Sequence, residues 1–258
     1  MPQDFRPLAA IILAAGKGTR MKSPIAKVLH RLADEPLIKH VVTLARGAGA
    51  RPISLVVGYQ ADAVQEVFLG DESDLLFAHQ AEQLGTGHAA SIGLSTLEDR
   101  SGDVLLLCGD VPLLRPETLD DLILRHRQAG AAVTILSAVL DDPSGYGRIV
   151  RQGREGEGRV LGIVEDADAT QEQRAIRELN SGTYIFDLEF LSLAILRIQA
   201  ENNQGEYYLT DVAAMAESEG RQVAAFPAPE PEEASGVNDT ADLARAEAYF
   251  AARRHKGR

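Results

Sequence analysis

Leu13-Ala14-Ala15-Gly16-Lys17-Gly18-Thr19-Arg20-Met21, with Lys27 a few residues on, decides how this chain is read. It leaves the apolar run at residues 8–13, which has the character of a buried strand. A strand that meets glycines leaves its sheet by a tight turn, and glycines let the backbone approach a ligand and aim N–H groups at it. Residues 16–31 include Lys17, Arg20, Lys22, Lys27 and Arg31 and no Asp or Glu, in a chain whose formal net charge is -12. A purely cationic loop in so acidic a protein points to a polyanion, most simply a triphosphate. The stretch is not the dinucleotide fingerprint, because Met21 stands where the last glycine belongs, and it lacks the spacing of a Walker A loop. Alone it also fits a glycine turn with solvated basic side chains; residues farther along separate the two.

Composition narrows the field. The chain has 258 residues, 45% of them hydrophobic, enough for one large domain or two small ones. Trp is absent and aromatics make up 5%, which argues against stacking on single-stranded nucleic acid. The acidic excess argues against sequence-independent duplex binding. Cys108 is the one cysteine, so no disulfide forms within the chain and no cysteine-based metal site is available. It reads as a small buried hydrophobe. No signal peptide and no membrane-spanning segment is apparent, and a cytoplasmic protein is the expectation.

Apolar runs at residues 8–13, 53–57, 75–78, 104–108 and 132–139 alternate with helical patterns at 36–48, 61–69, 87–97 and 116–129. Such alternation predicts an α/β fold with a mostly parallel sheet flanked by helices on both faces. Ligands then bind at the carboxyl ends of strands, where both the cationic loop and Gly109-Asp110 fall. After Asp141 the pattern turns β-rich. Strands are expected at 147–152 and 159–165, joined by a polar turn at 153–158, and at 180–188. Helices return at 189–200, 210–219 and 241–253. Residues 227–233 read as a solvated Pro/Glu loop, and the basic tail from Arg253 as frayed.

Three places carry candidate chemistry. Asp110, after a buried strand and a glycine, suits Mg²⁺, a hard ion that takes oxygen ligands; a turn aspartate explains it equally well. Asn238 precedes the last helix and is either its N-cap or a second oxygen donor to Mg²⁺. Gln80-Ala81-Glu82-Gln83-Leu84-Gly85-Thr86-Gly87-His88 combines amides with a glycine turn opening a helix. It is either a polar loop or a match for uracil, whose two carbonyls flank one N–H donor. Histidine is not required. Phosphoryl transfer onto a phosphate monoester needs charge neutralisation and in-line positioning, since the attacking oxygen is already an anion. His30 and His88 therefore have no assigned role.

On these residues the chain resembles the uridyltransferase domain of bacterial bifunctional N-acetylglucosamine-1-phosphate uridyltransferase/glucosamine-1-phosphate acetyltransferase. The run at 13–21 marks only the superfamily of sugar nucleotidyltransferases. More specific are Gln80 to His88, Asp142-Pro143-Ser144-Gly145-Tyr146-Gly147-Arg148-Ile149, Gly162-Ile163-Val164-Glu165, Gly205-Glu206-Tyr207-Tyr208-Leu209-Thr210-Asp211 and Gly236-Val237-Asn238, all in the family's order. The resemblance implies a Rossmann-like nucleotidyltransferase fold with a β-rich sugar-binding lobe. It implies that UTP and N-acetylglucosamine 1-phosphate give UDP-N-acetylglucosamine and pyrophosphate, with Mg²⁺. It assigns transferring phosphates to Arg20 and Lys27, and metal to Asp110 and Asn238. Leu13, Ala14, Gly16, Gln80, Gly85 and Thr86 fall to the nucleotide, and Gly147, Glu165 and Asn180 to the sugar. A nucleotide-binding half at residues 1–140, a sugar-binding lobe at 141–228 and a C-terminal helical segment at 239–258 are expected, all within one nucleotidyltransferase domain.

Three departures stand out. Ala26 takes the place of a usual Pro, which predicts a less restrained loop around Lys27. Cys108 replaces a frequent Tyr. The family's hexapeptide-repeat acetyltransferase domain has no counterpart here, so neither acetyl transfer nor the trimer it supports is expected. The partners implied are UTP and a sugar 1-phosphate, with no nucleic acid and no membrane. Two other readings compete: an enzyme using another sugar 1-phosphate, and a regulator that binds nucleotide sugars without turnover.

Overall fold

A computed structural model describes residues 6–153 and 158–256 of the chain. In chain order the elements are β1 (Leu8–Ala14), β2 (Arg31–Leu32), β3 (Glu35–Pro36), α1 (Leu37–Gly47), β4 (Ile53–Val57), α2 (Ala61–Glu66), β5 (Leu75–His79), α3 (Thr86–Ser95), β6 (Asp103–Cys108), α4 (Pro116–Ala129), β7 (Val133–Val139), β8 (Arg148–Gln152), β9 (Arg159–Val164), α5 (Gln171–Arg174), β10 (Glu178–Asp187), α6 (Leu188–Ala194), α7 (Asp211–Ser218), β11 (Val223–Pro227) and α8 (Thr240–Lys256).

Successive side chains of a strand face opposite ways, and β1 is apolar on both sides. Ala9 and Ile11 pack into a core with α3, α6 and α7 residues such as Ala90, Leu94, Leu191 and Val212. Ala10 and Ile12 pack into a second core with Val41, Val42, Leu119 and Leu122 of α1 and α4. The continuous apolar run is therefore what a strand covered by helices on both faces demands. The sheet has nine strands in the order β11-β7-β10-β6-β1-β4-β5, with β8 on β10 and β9 on β8. β6, β1, β4 and β5 run parallel, as do β11 and β7; β10 is antiparallel to β6, β7 and β8. This is the mostly parallel, helix-flanked sheet that the alternating pattern predicts, in a Rossmann-like nucleotidyltransferase fold.

Strand order positions the site. From β1 the chain builds outward to β4 and β5, then returns to place β6 on β1's other side. That reversal opens a crevice at the carboxyl ends of β1 and β6. The glycine loop leaves β1 there and Gly109-Asp110 leaves β6 there.

The expected elements differ from the observed ones mainly at their ends. α4 begins with Pro116 in its first turn and ends on Gly130 at φ 56°, so its stop signals were in the sequence. Strand β11 and the β2–β3 hairpin were not expected. Residues 227–233 are not a simple solvated loop: residues Pro231–Ala234 form a 3-10 turn in which Glu233 is fully buried. Its carboxylate accepts from Arg115 Nε at 2.8 Å and Thr118 Oγ1 at 2.5 Å. The pairing, more than a hundred residues away in sequence, explains the burial. α8 continues to Lys256, and Arg253 Nη1 donates to the Leu113 carbonyl at 3.0 Å. The turn expected at 153–158 lies mostly outside the described residues. No helix among the described residues is long and apolar enough to cross a membrane.

Candidate active site

The cationic loop is two 3-10 turns, Thr19–Met21 and Lys27–Leu29, pressed together. Gly18 has φ 68°, and a Cβ on it would lie 2.5 Å from Lys27 Cβ, so only glycine permits this approach. Met21, Ala26 and Val28 are buried and root the loop in the body. Arg20 and Lys27 project from it toward two oxygens supplied from elsewhere. The Lys27 ammonium pairs with Asp110 and lies 3.1 Å from Asn238 Oδ1; Arg20 Nη2 donates to the same Oδ1 at 3.0 Å.

Four residues named from the sequence, spread over more than two hundred positions, thus meet at the crevice. Asp110 arrives at the end of β6. Asn238 is brought in by backbone: Val237 N–H donates to the Asp110 carbonyl at 2.8 Å. Buried Glu233, paired with half-buried Arg115, anchors the preceding turn to the start of α4. The helix-cap reading of Asn238 is displaced by its neighbour, since Asp239 Oδ1 accepts from the N–H groups of Ala241 and Asp242, each at 2.8 Å. Among the described residues no group of three or more His, Cys, Asp or Glu is arranged to hold a metal. Asp110 and Asn238 contribute two hard oxygens side by side, already facing a cation.

A cleft of about 300 Å³ opens beside this cluster, lined by Leu13, Ala14, Gly16, Gln80, Gly85 and Thr86 among others. These are the six residues that the family resemblance gives to the nucleotide. Gln80 is buried, and its Nε2 lies 3.2 Å from His88 Nδ1. An amide nitrogen only donates, so Nδ1 accepts. The Gln80 carbonyl and its second amide hydrogen stay available to the cleft. His88 thus orients Gln80, a role the sequence reading left unassigned. Gly85 has φ 108°, and a Cβ there would lie 2.6 Å from the Tyr207 carbonyl. The reason is a seam between two distant segments: Gly87 N–H donates to Tyr207 O at 2.7 Å, Tyr207 N–H to Leu84 O at 2.8 Å, and Leu209 N–H to Thr86 Oγ1 at 3.1 Å.

Gly147, Glu165 and Asn180 meet at the neighbouring strands. A Cβ on Gly147 would lie 3.4 Å from Glu165 Oε2 and 3.5 Å from Asn180 Cβ. Asn180 N–H donates to Gly147 O at 2.8 Å, and Asn180 Nδ2 to the Tyr184 hydroxyl at 2.6 Å. Glu165 Oε1 accepts from Thr210 Oγ1 at 2.9 Å. Burial, reinforced by the negative charges of Asp211, Asp168 and Glu206, raises the Glu165 carboxyl above its ordinary pKa despite the Thr210 bond. Arg148, buried and paired with Asp166 at 3.0 Å, also donates to the Tyr146 carbonyl and fixes the turn before Gly147.

Cys108 lines the same cleft, and its thiol lies 3.5 Å from Gly182 O. Burial, with Asp110 adding to it, pushes the thiol up to about 12, so it is inert rather than nucleophilic. The Ala26 departure has a local answer. Its N–H, which a proline would lack, donates to Gln60 Oε1 at 2.6 Å. A hydrogen bond thus holds the loop at the position where a prolyl ring would stiffen it. Tyr59 and Gln60 went unnoticed because a short turn after a strand carries no motif.

Residues 10–162 match the family model described as MobA-like NTP transferase domain. Bifunctional protein GlmU of Geobacter metallireducens is 52% identical over 239 residues, which cover 93% of this chain and 49% of that protein. Its namesake in Trichlorobacter lovleyi is 53% identical over 238 residues, covering 92% of this chain and 51% of that protein. The chain spans about half the length of these curated relatives. A solved structure, UDP-glucose pyrophosphorylase complexed with UDP-glucose, superposes with a TM-score of 0.77 over 96% of this chain and 99% of that one, at 19% identity. That likeness is one of fold. With the glycine loop after β1, the reversal that opens the crevice and a family match over more than half its length, the chain belongs to the MobA-like NTP transferase family.

Proposed function

We propose that the protein transfers a uridylyl group from UTP to N-acetylglucosamine 1-phosphate, releasing pyrophosphate and forming UDP-N-acetylglucosamine. The observation that carries this reading is the meeting of Arg20, Lys27, Asp110 and Asn238 beside the glycine loop, with the sugar residues Gly147, Glu165 and Asn180 on the adjoining strands. About 50% identity to proteins named GlmU supports the choice of substrates.

The sugar phosphate oxygen attacks the α-phosphorus of UTP, and the bond from that phosphorus to the bridging oxygen breaks. Negative charge gathers on the departing pyrophosphate. Arg20 and Lys27, carried to the crevice by the glycine loop, neutralise it, Lys27 turning toward the phosphates as its contacts with Asp110 and Asn238 give way to Mg²⁺. Gln80 presents an acceptor and a donor to the edge of uracil, and the backbone at Gly85 and Thr86 lies close enough to hold ribose and base. Glu165 and Asn180 orient the sugar so that its phosphate approaches in line. Asp110 and Asn238 would hold Mg²⁺, and their two hard oxygens suit an ion that completes its shell with water and substrate phosphates. Bound there, Mg²⁺ would supply a further positive charge for the phosphates. No side chain acts as general base. Function in the cytoplasm accords with substrates of this kind.

The experiment is pyrophosphate release with Mg²⁺ over a panel of sugar 1-phosphates and four nucleoside triphosphates. UTP with N-acetylglucosamine 1-phosphate should be the fastest pair. Equal rates with glucose 1-phosphate would overturn the sugar assignment. Tight UDP-sugar binding without turnover would favour a regulator.

A further inference from the structure

Arg20 and Lys27 stand on residues 16–29, which contain no strand or α-helix. Catalysis by charge requires those two cations to be held firmly, so the restraint must come from outside the loop. Beyond the buried Met21, Ala26 and Val28, part of it comes from the turn after β4. Tyr59 N–H donates to Ala15 O at 3.2 Å, where the loop begins, and the Tyr59 hydroxyl donates to Pro24 O at 3.0 Å, where it returns. The Lys17 ammonium sits 5.4 Å from the Tyr59 ring centre. Gln60 then uses both ends of its carboxamide on one tripeptide: Oε1 accepts from Ala26 N–H at 2.6 Å and Nε2 donates to Pro24 O at 3.2 Å.

Gln60 is an unusual residue in which to find such a clamp. Its backbone is left-handed, at φ 55° and ψ 42°, a conformation that a side chain disfavours and glycine adopts freely. It is exposed, so it fills no core. A strained, exposed glutamine gains nothing from burial, and what it does make is a two-point hold on the residues just before Lys27. Resting on the nucleotidyl transfer described above, we propose that Gln60 is a positioning residue for that reaction, its carboxamide fixing residues 24–26 and so setting where Lys27 enters the crevice beside Asp110 and Asn238. Ala26 has φ -56°, the angle that a prolyl ring enforces. A ring at 26 would stiffen the loop by covalent means, at the expense of the N–H that Gln60 accepts.

That alternative restraint supplies the test. Gln60→Gly, Ala26→Pro and the double variant are compared with the parent for kcat, KM, melting temperature and amide exchange over residues 19–29. Gln60→Gly removes the clamp and the left-handed strain together. Its melting temperature should hold or rise, exchange should quicken over residues 22–29, and kcat should fall about 10-fold, the scale of a small misplacement of a reacting group. KM for UTP should move less than about twofold, because the cations act chiefly on charge developed during transfer. Ala26→Pro alone sets its ring against the Gln60 amide and should also lower kcat. In the double variant the ring takes over the restraint, and kcat should return to within about threefold of the parent. Unchanged kcat in Gln60→Gly, or a double variant as slow as the slower single, overturns the proposal. The exchange measurement needs no substrate. If the parent releases no pyrophosphate, the reading of function fails, while unchanged exchange in Gln60→Gly would independently overturn the clamp.

Discussion

Gly147→Ala tests, with one methyl group, whether the proposed sugar site is separate from the proposed nucleotide site. Gly147 does not occupy the positive-φ region, so alanine costs no backbone strain there. Its Cβ would meet Ile163 Cγ2 at 3.1 Å, a contact relieved by a few tenths of an ångström of movement. Stability should therefore drop by no more than about 1 kcal/mol, the low end for a tight insertion. The methyl would also stand 3.4 Å from Glu165 Oε2, in the space where a sugar hydroxyl must come to bond that carboxylate. Losing one hydrogen bond to a charged group costs about 1.5–3 kcal/mol, or roughly a 10- to 150-fold loss of affinity. KM for N-acetylglucosamine 1-phosphate should rise by that factor in steady-state pyrophosphate release, with KM for UTP within about twofold of the parent. An equal rise for both substrates, or for UTP alone, would refute the placement of the sugar at Gly147, Glu165 and Asn180.

Arg20→Ala should lower kcat by about 100-fold or more while weakening UTP binding far less, measured by turnover beside equilibrium titration, since its charge matters most as pyrophosphate departs. Glu233→Ala removes the buried acceptor of Arg115 and Thr118, while Arg115 keeps Glu230 and partial solvent, and should destabilise the protein by about 1–3 kcal/mol in denaturant unfolding. Glu165→Gln should change the pH profile of stability. Folding raises the Glu165 pKa, so its contribution is full below the unfolded value and is lost as pH rises through the folded one. The variant should thus gain in melting temperature relative to the parent as pH rises from 4 toward 8, and a difference constant with pH would contradict the burial argument.

What could be read in advance depended on how far each signal reached. β1 and residues 104–107 of β6 are apolar on both faces, and an unbroken apolar run announces itself in sequence. Gly18 and Gly85 were conspicuous because a glycine beside basic or amide residues is a recognisable pattern. The reason each must be glycine, contact with Lys27 in one case and Tyr207 in the other, became visible only in the fold. Asp110 and Asn238 each had an ordinary local explanation, and their pairing is a product of the return from β5 to β6 and of the segment leading into α8. Strand β11 escaped notice because Val223-Ala224-Ala225-Phe226 is short, rich in alanine and flanked by loops. Glu233 reads as solvated from the sequence because no cation lies near it there; across the fold Arg115 neutralises it and Thr118 donates to it. Gln60 carried no signal at all, since its work is done by a side-chain amide on the backbone of another loop.

The Mg²⁺ dependence of pyrophosphate release by Asp110→Ala, measured beside the parent with UTP and N-acetylglucosamine 1-phosphate, probes the cluster of Arg20, Lys27, Asp110 and Asn238 most directly. The half-saturating Mg²⁺ concentration should rise at least about 10-fold, the change expected when a charged oxygen ligand is lost. The same Mg²⁺ requirement in variant and parent would remove Asp110 from the reaction and contradict the assignment of the transfer to this crevice.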